Sequence, residues 1–253
     1  MNRRVTWRTP DISADGLKIF ACIVMLIQSI GIVIIEKGII NLNQYTQQSL
    51  SDAMAADSQL MFLAGMGSVM QLIGGMAVPI FAFLLVEGFK NTSDYKKYLT
   101  TMFLFAIISE IPFDLAMSQK FLDFSRQNPL FAMTICLLML YFLRMMENRG
   151  HFYYKIYQAV IVLCAVLWTQ IFRIEYGLCL VLLTAVFYLF YTRNVLKTVL
   201  GVLISLLYVT APLSFYGIWC YDETRKDILP KYVYYMFYPI HLLVLGLIVK
   251  FLM

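Results

Sequence analysis

Runs of mostly apolar residues recur along this chain, and they constrain its fold more than any other feature. A helix of about 20 apolar residues is long enough to cross the hydrocarbon core of a membrane. The chain is 61% hydrophobic and only 14% charged, well outside the range of ordinary soluble domains. The candidate crossings cover residues 16–36, 63–87, 99–118, 129–146, 155–171, 174–192, 197–218 and 232–252. We therefore predict an all-α, polytopic integral membrane helix bundle with about eight transmembrane helices.

The Lys and Arg residues between these runs predict its orientation, because cytoplasmic loops are enriched in them. With an even number of crossings both termini share one side, and that side carries more of the cations. We therefore predict that both termini are cytoplasmic, in a single transmembrane domain over residues 1–253. The polar stretch 37–60 then forms an extracytoplasmic insert. A re-entrant piece near "MQLIGGMAVP" would instead make the number of crossings odd.

Charge and cysteine content exclude several other classes of function. The net charge of +5 comes from loop residues, so it bears on orientation and does not indicate nucleic-acid binding. The five cysteines have no paired spacing, and most lie inside apolar runs. We interpret them as small apolar packing residues, not as a disulfide framework or a zinc site.

The segment "SEIPFD" places two carboxylates, Glu110 and Asp114, inside an apolar run. Residues four apart lie on one face of a helix. A charged side chain at the bilayer centre costs ~2.5–3.5 kcal/mol on insertion scales, so such groups need partners or water. The pair therefore either lines a polar cavity or braces the bundle, for example through backbone groups freed by Pro112.

Other polar residues fall at a comparable depth. With a rise of ~1.5 Å per residue, Gln28 and His241 both lie ~15 Å from the cytoplasmic face, and Glu110 lies near that level. We therefore predict a polar layer in which three residues are candidate catalytic groups: His241, Glu110 and Asp114. Four more are candidate substrate-binding groups: Gln28, Ser29, Asn128 and Thr134. A buried histidine satisfied within the core remains the alternative for His241.

Several segments together resemble the TraX family of membrane proteins, named for a conjugative-plasmid protein linked to N-terminal acetylation of pilin. The most specific is the middle block, in which "FAFLLVEGF" and "SEIPFD" occur together. The others, in chain order, are "GLKIFACIVMLIQSIG", "NPLFAMTICLLML", "IEYGLCLVLLTAVFYLFY" and "YVYYMFYPIHLLVL". The resemblance covers nearly the whole chain except 37–60. It implies a multi-pass protein of the bacterial cytoplasmic membrane, distantly related to transmembrane acyltransferases.

For such an acyltransferase, the resemblance implies acetyl-CoA as co-substrate and an acceptor that is a peptide, a sugar or a lipid-linked glycan. The cytoplasmic cations Lys90, Lys96 and Lys97 suit the phosphates of coenzyme A. The same lysines also fit a simple positive-inside loop, so both interpretations stay open.

This chain departs from the family in its first crossing. Members typically have an Asp-His pair in a pattern like "MLIDHIG", whereas this chain reads "MLIQSIG" with Gln28 and Ser29. Neither residue is a base at neutral pH. His241 is then the remaining candidate base, with Glu110 or Asp114 holding its tautomer. Alternatively, Ser29 is acylated in a two-step relay with His241 as its base.

Three functions remain open at this point. The first is an integral-membrane acyltransferase, and the second is a non-catalytic relative that kept the cavity after losing the Asp-His pair. The third is a small proton-coupled transporter with the buried carboxylates as a proton relay. The sequence lacks the paired broken-helix pattern that is typical of many transporters.

Overall fold

A computed structural model describes residues 12–146, 152–222 and 230–252 of the chain. Within these ranges the protein is all-helical, with 82% helix and no strand. The helices are α1 (Ala14–Ile30), α2 (Gln47–Ala56), α3 (Ser58–Gly74), α4 (Ala77–Asn91), α5 (Tyr95–Ser118), α6 (Pro129–Met145), α7 (Phe152–Ile171), α8 (Gly177–Leu189), α9 (Asn194–Ser205), α10 (Ser214–Trp219) and α11 (Lys231–Leu252). Some cations used in the orientation argument lie outside the described residues: Arg3, Arg4, Arg8, Arg149, Arg225 and Lys226.

The apolar composition of these helices makes this a multi-pass membrane protein. Five helical stretches among the described residues are long and apolar enough to cross a bilayer: Ala14–Ile39, Ser58–Asn91, Tyr95–Ser118, Tyr153–Ile171 and Tyr232–Phe251. The first of them continues α1 through a π-helical segment, Gly31–Ile39. Three shorter apolar helices, α6, α8 and α9, pack among them. Many large apolar side chains remain exposed on the outside of the bundle, as contact with lipid requires.

Helices α1 and α11 run in the same direction. Near their starts, the Lys18 ammonium lies 5.0 Å from the centre of the Tyr234 ring. Eleven residues further along α1, the Ser29 hydroxyl lies 3.1 Å from the His241 imidazole, near the middle of α11. The second contact lies further along both helices than the first, so the two helices are parallel. The start of α1 and the end of α11 therefore lie at opposite ends of the bundle. We call these the Lys18 end and the Lys250 end.

Helix α5 is parallel to α11 as well. Its Phe105 ring stacks on Tyr235 with the ring centres 5.1 Å apart. Beyond the end of α5, the Phe121 ring lies 4.0 Å below the Lys250 ammonium. The loop between α5 and α6 therefore shares the Lys250 end with the end of α11. The structure thus does not confirm the prediction that both termini lie on one side.

The predicted crossing at 197–218 is a hairpin that turns back partway along the length of the bundle. The Trp219 indole N–H, at the end of α10, donates to the Thr198 hydroxyl near the start of α9 at 3.0 Å. The chain then meets the residue that precedes α1, because the Asp222 N–H donates to the Ile12 carbonyl at 3.2 Å. Both arms of the hairpin therefore point to the Lys18 end. Pro212 lies at the turn, in the first turn of a 3-10 segment, Ala211–Leu213, where a missing N–H is tolerated.

With this hairpin the predicted count of eight crossings is not confirmed, and five helical stretches among the described residues are long and apolar enough to cross a bilayer. The re-entrant piece therefore lies in residues 197–218, not near "MQLIGGMAVP". At the latter position the helix is only interrupted, between α3 and α4. The two interruptions touch, because the Thr210 hydroxyl at the hairpin tip donates to the Leu72 carbonyl. Because one interruption lies within a crossing and the other is the tip of a hairpin, this contact does not test the statement that the sequence lacks the paired broken-helix pattern.

Close packing of α5 against α11 holds this arrangement together, and Gly246 permits it. A Cβ atom on Gly246 would lie 3.0 Å from the backbone nitrogen of Ala116 and 3.1 Å from the backbone carbon of Leu115. Such contacts are tighter than ordinary van der Waals packing, and a backbone atom cannot rotate away. The two helices would have to move apart to accept any larger residue.

We expect Gly246→Ala to destabilise the protein by roughly 1–3 kcal/mol, the usual cost of overpacking a well-packed contact. Thermal unfolding in detergent micelles measures this as a lower Tm. Gly65→Ala is the matched control, because nothing lies within 4 Å of a Cβ built there. Equal Tm values for both variants would contradict the close α5–α11 contact.

Candidate functional site

His241 lies in α11, and its two ring nitrogens have different hydrogen-bond partners. Its Nδ1 atom lies 2.8 Å from the Phe237 carbonyl oxygen, one helical turn earlier. A carbonyl only accepts hydrogen bonds, so in the neutral ring Nδ1 carries the proton. Nε2 is then left with a lone pair, and it lies 3.1 Å from the Ser29 hydroxyl oxygen. The geometry therefore sets the imidazole to accept a proton from Ser29.

Ser29 is held in place by its own helix. Its hydroxyl lies 2.9 Å from the Met25 carbonyl, four residues earlier in α1, and donates to it. The hydroxyl has one proton, so that proton is shared between the Met25 carbonyl and Nε2 of His241. Both Ser29 and His241 are buried, at 6% and 7% exposure. Little water can therefore compete for these hydrogen bonds.

Aromatic neighbours fix the plane of the imidazole. The Phe237 ring stacks on it with centres 4.9 Å apart, and the Tyr238 ring meets it edge-on at 5.7 Å. Such contacts restrict rotation of the His241 ring, so Nε2 keeps pointing at Ser29. A base that is held in one orientation loses little entropy when it acts.

Ser29 forms part of the wall of a large cavity. The cavity has a volume of about 740 Å³, within the range of pockets that hold small-molecule ligands. At the Lys18 end its wall includes the exposed residues Asn91, Ser93 and Asp94, so it opens there. The polar residues deeper in the wall are Gln28, Ser29, Glu87, Glu175, Tyr176, Tyr235 and Tyr238.

A hydrogen bond between Gln28 and Tyr176 lies in the cavity wall, next to Ser29 in the chain. The Gln28 side-chain N–H donates to the Tyr176 hydroxyl at 2.5 Å. Gly74 makes room for this contact, because a Cβ atom there would overlap the Gln28 side chain. Tyr176 adopts a left-handed backbone conformation, with φ 57°, which is uncommon for a large side chain. Such strain is often found where a functional side chain must point in one direction.

The loop that carries Tyr176 is tied to the α5–α6 loop. The Glu175 N–H donates to the Gln127 carbonyl at 3.0 Å, and the Gln127 N–H donates to the Arg173 carbonyl at 3.3 Å. The Glu175 carboxylate lies 3.7 Å from the Arg126 guanidinium. Burial raises the pKa of Glu175 above its ordinary value, while Arg126 opposes that rise.

The predicted pair Glu110 and Asp114 holds the α5–α6 loop instead of facing His241. One Asp114 carboxylate oxygen accepts the Asp123 N–H at 2.8 Å. One Glu110 oxygen accepts the Asn128 N–H at 3.3 Å and also a side-chain N–H of Asn128. The orienting partner of His241 is the Phe237 carbonyl, so the structure does not place either carboxylate in that role.

The predicted substrate-binding residues separate into two groups. Gln28 and Ser29 line the cavity, as expected from their depth. Asn128 is buried between Glu110 and the Ala106 carbonyl, to which it donates at 2.9 Å. The Thr134 hydroxyl donates to the Leu130 carbonyl at 3.0 Å, within α6. The structure therefore does not bring Asn128 and Thr134 to the cavity wall.

The predicted donor-binding lysines also separate. Lys97 lines the mouth of the cavity, and Lys96 is exposed outside it. Lys90 lies over the Tyr191 ring at 3.7 Å, away from the cavity. The sequence analysis missed Lys18, which lines the mouth and bonds to Asp15 at 2.8 Å. It also missed Tyr176, because a tyrosine near a helix end reads as an ordinary interfacial residue.

Comparison with known proteins gives one match. The family model described as "TraX protein" matches residues 13–249, nearly the whole chain. No curated protein and no solved structure matches. Within the described residues, no group of three or more His, Cys, Asp or Glu side chains is placed to hold a metal ion.

Asn128→Ala tests the role of Glu110 as a loop anchor. The substitution removes the side-chain donor to a largely enclosed carboxylate, so we expect a loss of roughly 1–3 kcal/mol of stability. Thermal unfolding in detergent measures it as a lower Tm. Gln48→Ala, which removes an exposed amide on α2, should leave the Tm unchanged. An unchanged Tm for Asn128→Ala would show that the contact carries no stability.

Proposed function

This chain belongs to the TraX family, and we propose that it is an integral-membrane acyltransferase. It takes an acetyl group from acetyl-CoA and passes it to an acceptor at or across the membrane. The observation that carries this proposal is the pair formed by Ser29 and His241, buried against a cavity of about 740 Å³. The TraX resemblance supports this reaction class, and the geometry of the pair supports His241 as the base.

His241 replaces the histidine that the TraX resemblance leads us to expect in the first crossing. Its Nε2 lone pair faces Ser29, and its Nδ1 proton is held by the Phe237 carbonyl. An imidazole arranged in this way accepts a proton at neutral pH and returns it later in the cycle. The base therefore comes from α11 while its target group lies on α1.

The donor enters from the Lys18 end, which we place in the cytoplasm. Among the described residues, Lys and Arg are more numerous at this end, as expected for a cytoplasmic face. The residues at this end are Lys18, Lys90, Lys96, Lys97, Arg144, Lys155, Arg193, Lys197 and Lys231, and those at the other are Lys37, Lys120, Arg126, Arg173 and Lys250. The N-terminal end of α1 is then cytoplasmic and the end of α11 extracytoplasmic.

The shape of coenzyme A suits a cavity with this polarity. Its phosphates lie at one end of a long thin arm and the reactive thioester at the other. Lys18 and Lys97 at the mouth offer ammonium groups to the phosphates. Ser29 lies eleven residues beyond Lys18 on α1, a rise of ~16 Å, so a thioester that reaches it lies deep in the bundle. The acceptor is a hydroxyl or an amine of a peptide, a sugar or a lipid-linked glycan.

A proton-coupled transporter remains a second candidate because of one observation. The interruption between α3 and α4 contacts the tip of the α9–α10 hairpin, and paired interruptions occur in many transporters. The buried carboxylates argue against it, since Glu110 and Asp114 bind loop backbone groups. Solute flux into proteoliposomes driven by a pH gradient would favour the transporter.

His241→Gln tests the proposed base. The purified protein is given acetyl-CoA with N-acetylglucosamine or a short peptide as hydroxyl and amine probes, and free coenzyme A is followed by its thiol. We expect wild type to release coenzyme A in an acceptor-dependent way. Loss of a general base should slow the reaction by ~10²–10⁴-fold in His241→Gln. Equal rates in the two proteins would show that His241 is not the base, whereas no release by wild type would favour a non-catalytic role for this family member.

Two lysine variants test where the donor binds. Lys97→Ala removes a cation at the cavity mouth, so we expect the KM for acetyl-CoA to rise roughly five- to tenfold, as for ~1–1.5 kcal/mol of a charge-assisted contact. Lys90→Ala is the matched control, because its ammonium lies over Tyr191 outside the cavity. If both variants changed KM equally, a diffuse effect of surface charge would replace the proposed contact.

A further inference from the structure

We propose that Ser29 is the nucleophile of a two-step reaction and carries the acetyl group as an ester between the steps. This inference rests on the proposed acyltransferase function and assigns a covalent intermediate to it. The intermediate forms on a side chain that stands where the TraX resemblance leads us to expect a histidine.

The hydrogen bonds around Ser29 support its role as the nucleophile. With Nδ1 of His241 donating to the Phe237 carbonyl, the neutral ring has no proton on Nε2. The 3.1 Å contact between Nε2 and the Ser29 oxygen therefore uses the serine's own proton, which the Met25 carbonyl shares at 2.9 Å. A serine and a histidine within hydrogen-bond reach, with the histidine oriented by a third group, form the usual arrangement for activating a hydroxyl. If His241 instead took a proton directly from the acceptor, the Ser29 hydroxyl would lie between the acceptor and Nε2.

The position of the pair favours attack by Ser29. Ser29 is part of the cavity wall, whereas His241 lies behind it and is absent from that wall. A thioester that enters from the Lys18 end therefore meets the hydroxyl before it meets the imidazole. Next to Ser29, Gln28 keeps a second side-chain N–H, and Tyr176 keeps its hydroxyl proton after accepting from Gln28. Donors of this kind stabilise the oxyanion that develops on the thioester carbonyl.

In the first step His241 Nε2 takes the proton from the Ser29 hydroxyl, and the Ser29 oxygen attacks the acetyl carbonyl. The new bond joins that oxygen to the carbonyl carbon, and the carbon–sulfur bond breaks. The leaving thiolate of coenzyme A takes the proton from His241, so acetyl-Ser29 and free coenzyme A result. No other reactant is consumed.

In the second step the acceptor hydroxyl or amine attacks the ester carbonyl and gives its proton to His241. The bond between the carbonyl carbon and the Ser29 oxygen breaks, and the proton returns to Ser29. The relay lets coenzyme A leave before the acceptor arrives. One cavity therefore serves both substrates in turn, which removes the need for a continuous opening through the bundle.

The test uses purified full-length protein with acetyl-CoA and no acceptor. We expect release of about one coenzyme A per chain in a burst, since acylation precedes the slow step, and intact mass spectrometry should detect one added acetyl group. Ser29→Ala should abolish both the adduct and acceptor-dependent turnover, whereas Ser29→Cys should form a thioester adduct. Cys22→Ala is the matched control, because Cys22 also lines the cavity and is the nearest competing nucleophile on that face of α1.

The outcomes separate the relay from the proposed function. If Ser29→Ala keeps acceptor-dependent release of coenzyme A at the wild-type rate, the relay is wrong while the acyltransferase stands. The relay also fails if the adduct survives in Ser29→Ala and is lost in Cys22→Ala. If wild type releases no coenzyme A with either acceptor, the proposed function itself fails. Tm values in detergent establish that each variant is folded, and adduct formation by Ser29→Cys keeps the test decisive if Ser29→Ala unfolds.

Discussion

The candidate site depends on the hydrogen bond between Nδ1 of His241 and the Phe237 carbonyl. An imidazole has two nitrogens and, when neutral, one proton, so fixing that proton on one nitrogen decides the chemistry of the other. Here the partner is a backbone carbonyl one turn earlier in the same helix, which cannot move away. Formation of α11 is therefore enough to prepare the base. Only the distance to Ser29 then depends on how the helices pack.

That distance is set by three parallel helices. Gly246 lets α11 approach the backbone of α5, and the contact of Lys18 with Tyr234 aligns the starts of α1 and α11. The carboxylates of α5 affect the site indirectly, because they hold the loop that leads into α6. That loop is hydrogen-bonded to the loop before α8. Tyr176 belongs to that second loop. Side chains outside the cavity thus help to determine where the cavity-lining groups lie.

The sequence predicts the apolar helices and the depth of several polar residues, but not which residues face one another. Hydropathy identifies the apolar helices, and helical rise correctly places Gln28 and Ser29 at a depth comparable to that of His241. Depth along a helix says nothing about rotation around it, so the role of Glu110 and Asp114 could not be separated from that of a catalytic pair. The run 197–218 has the length of a crossing, and only its tertiary contacts show that it turns back. Tyr176 was missed because the direction of its side chain depends on a left-handed backbone conformation in a short loop.

This member of the TraX family has Gln28 and Ser29 where the resemblance leads us to expect an Asp-His pair. Under the proposed function, the chemistry is then exchanged on a retained scaffold. Gln28 takes a structural role by bonding to Tyr176, and Ser29 becomes the partner of a histidine from the last helix. A helix bundle tolerates such an exchange because the same depth is reached by several helices. The reactive group can then be supplied by a different part of the chain.

The bond between Gln28 and Tyr176 has a consequence for the cell as a whole. Any protein with a hydrated hollow in an energised membrane risks leaking protons down the electrochemical gradient. Here the cavity opens at the Lys18 end, and its lining continues to Met117 and Pro129 near the other end. The bonded amide and phenol form part of the wall between these ends, with the hairpin tip packed nearby. The hydrogen bond holds both side chains at mid-depth, where they occupy space that a continuous file of water molecules would need in order to conduct protons.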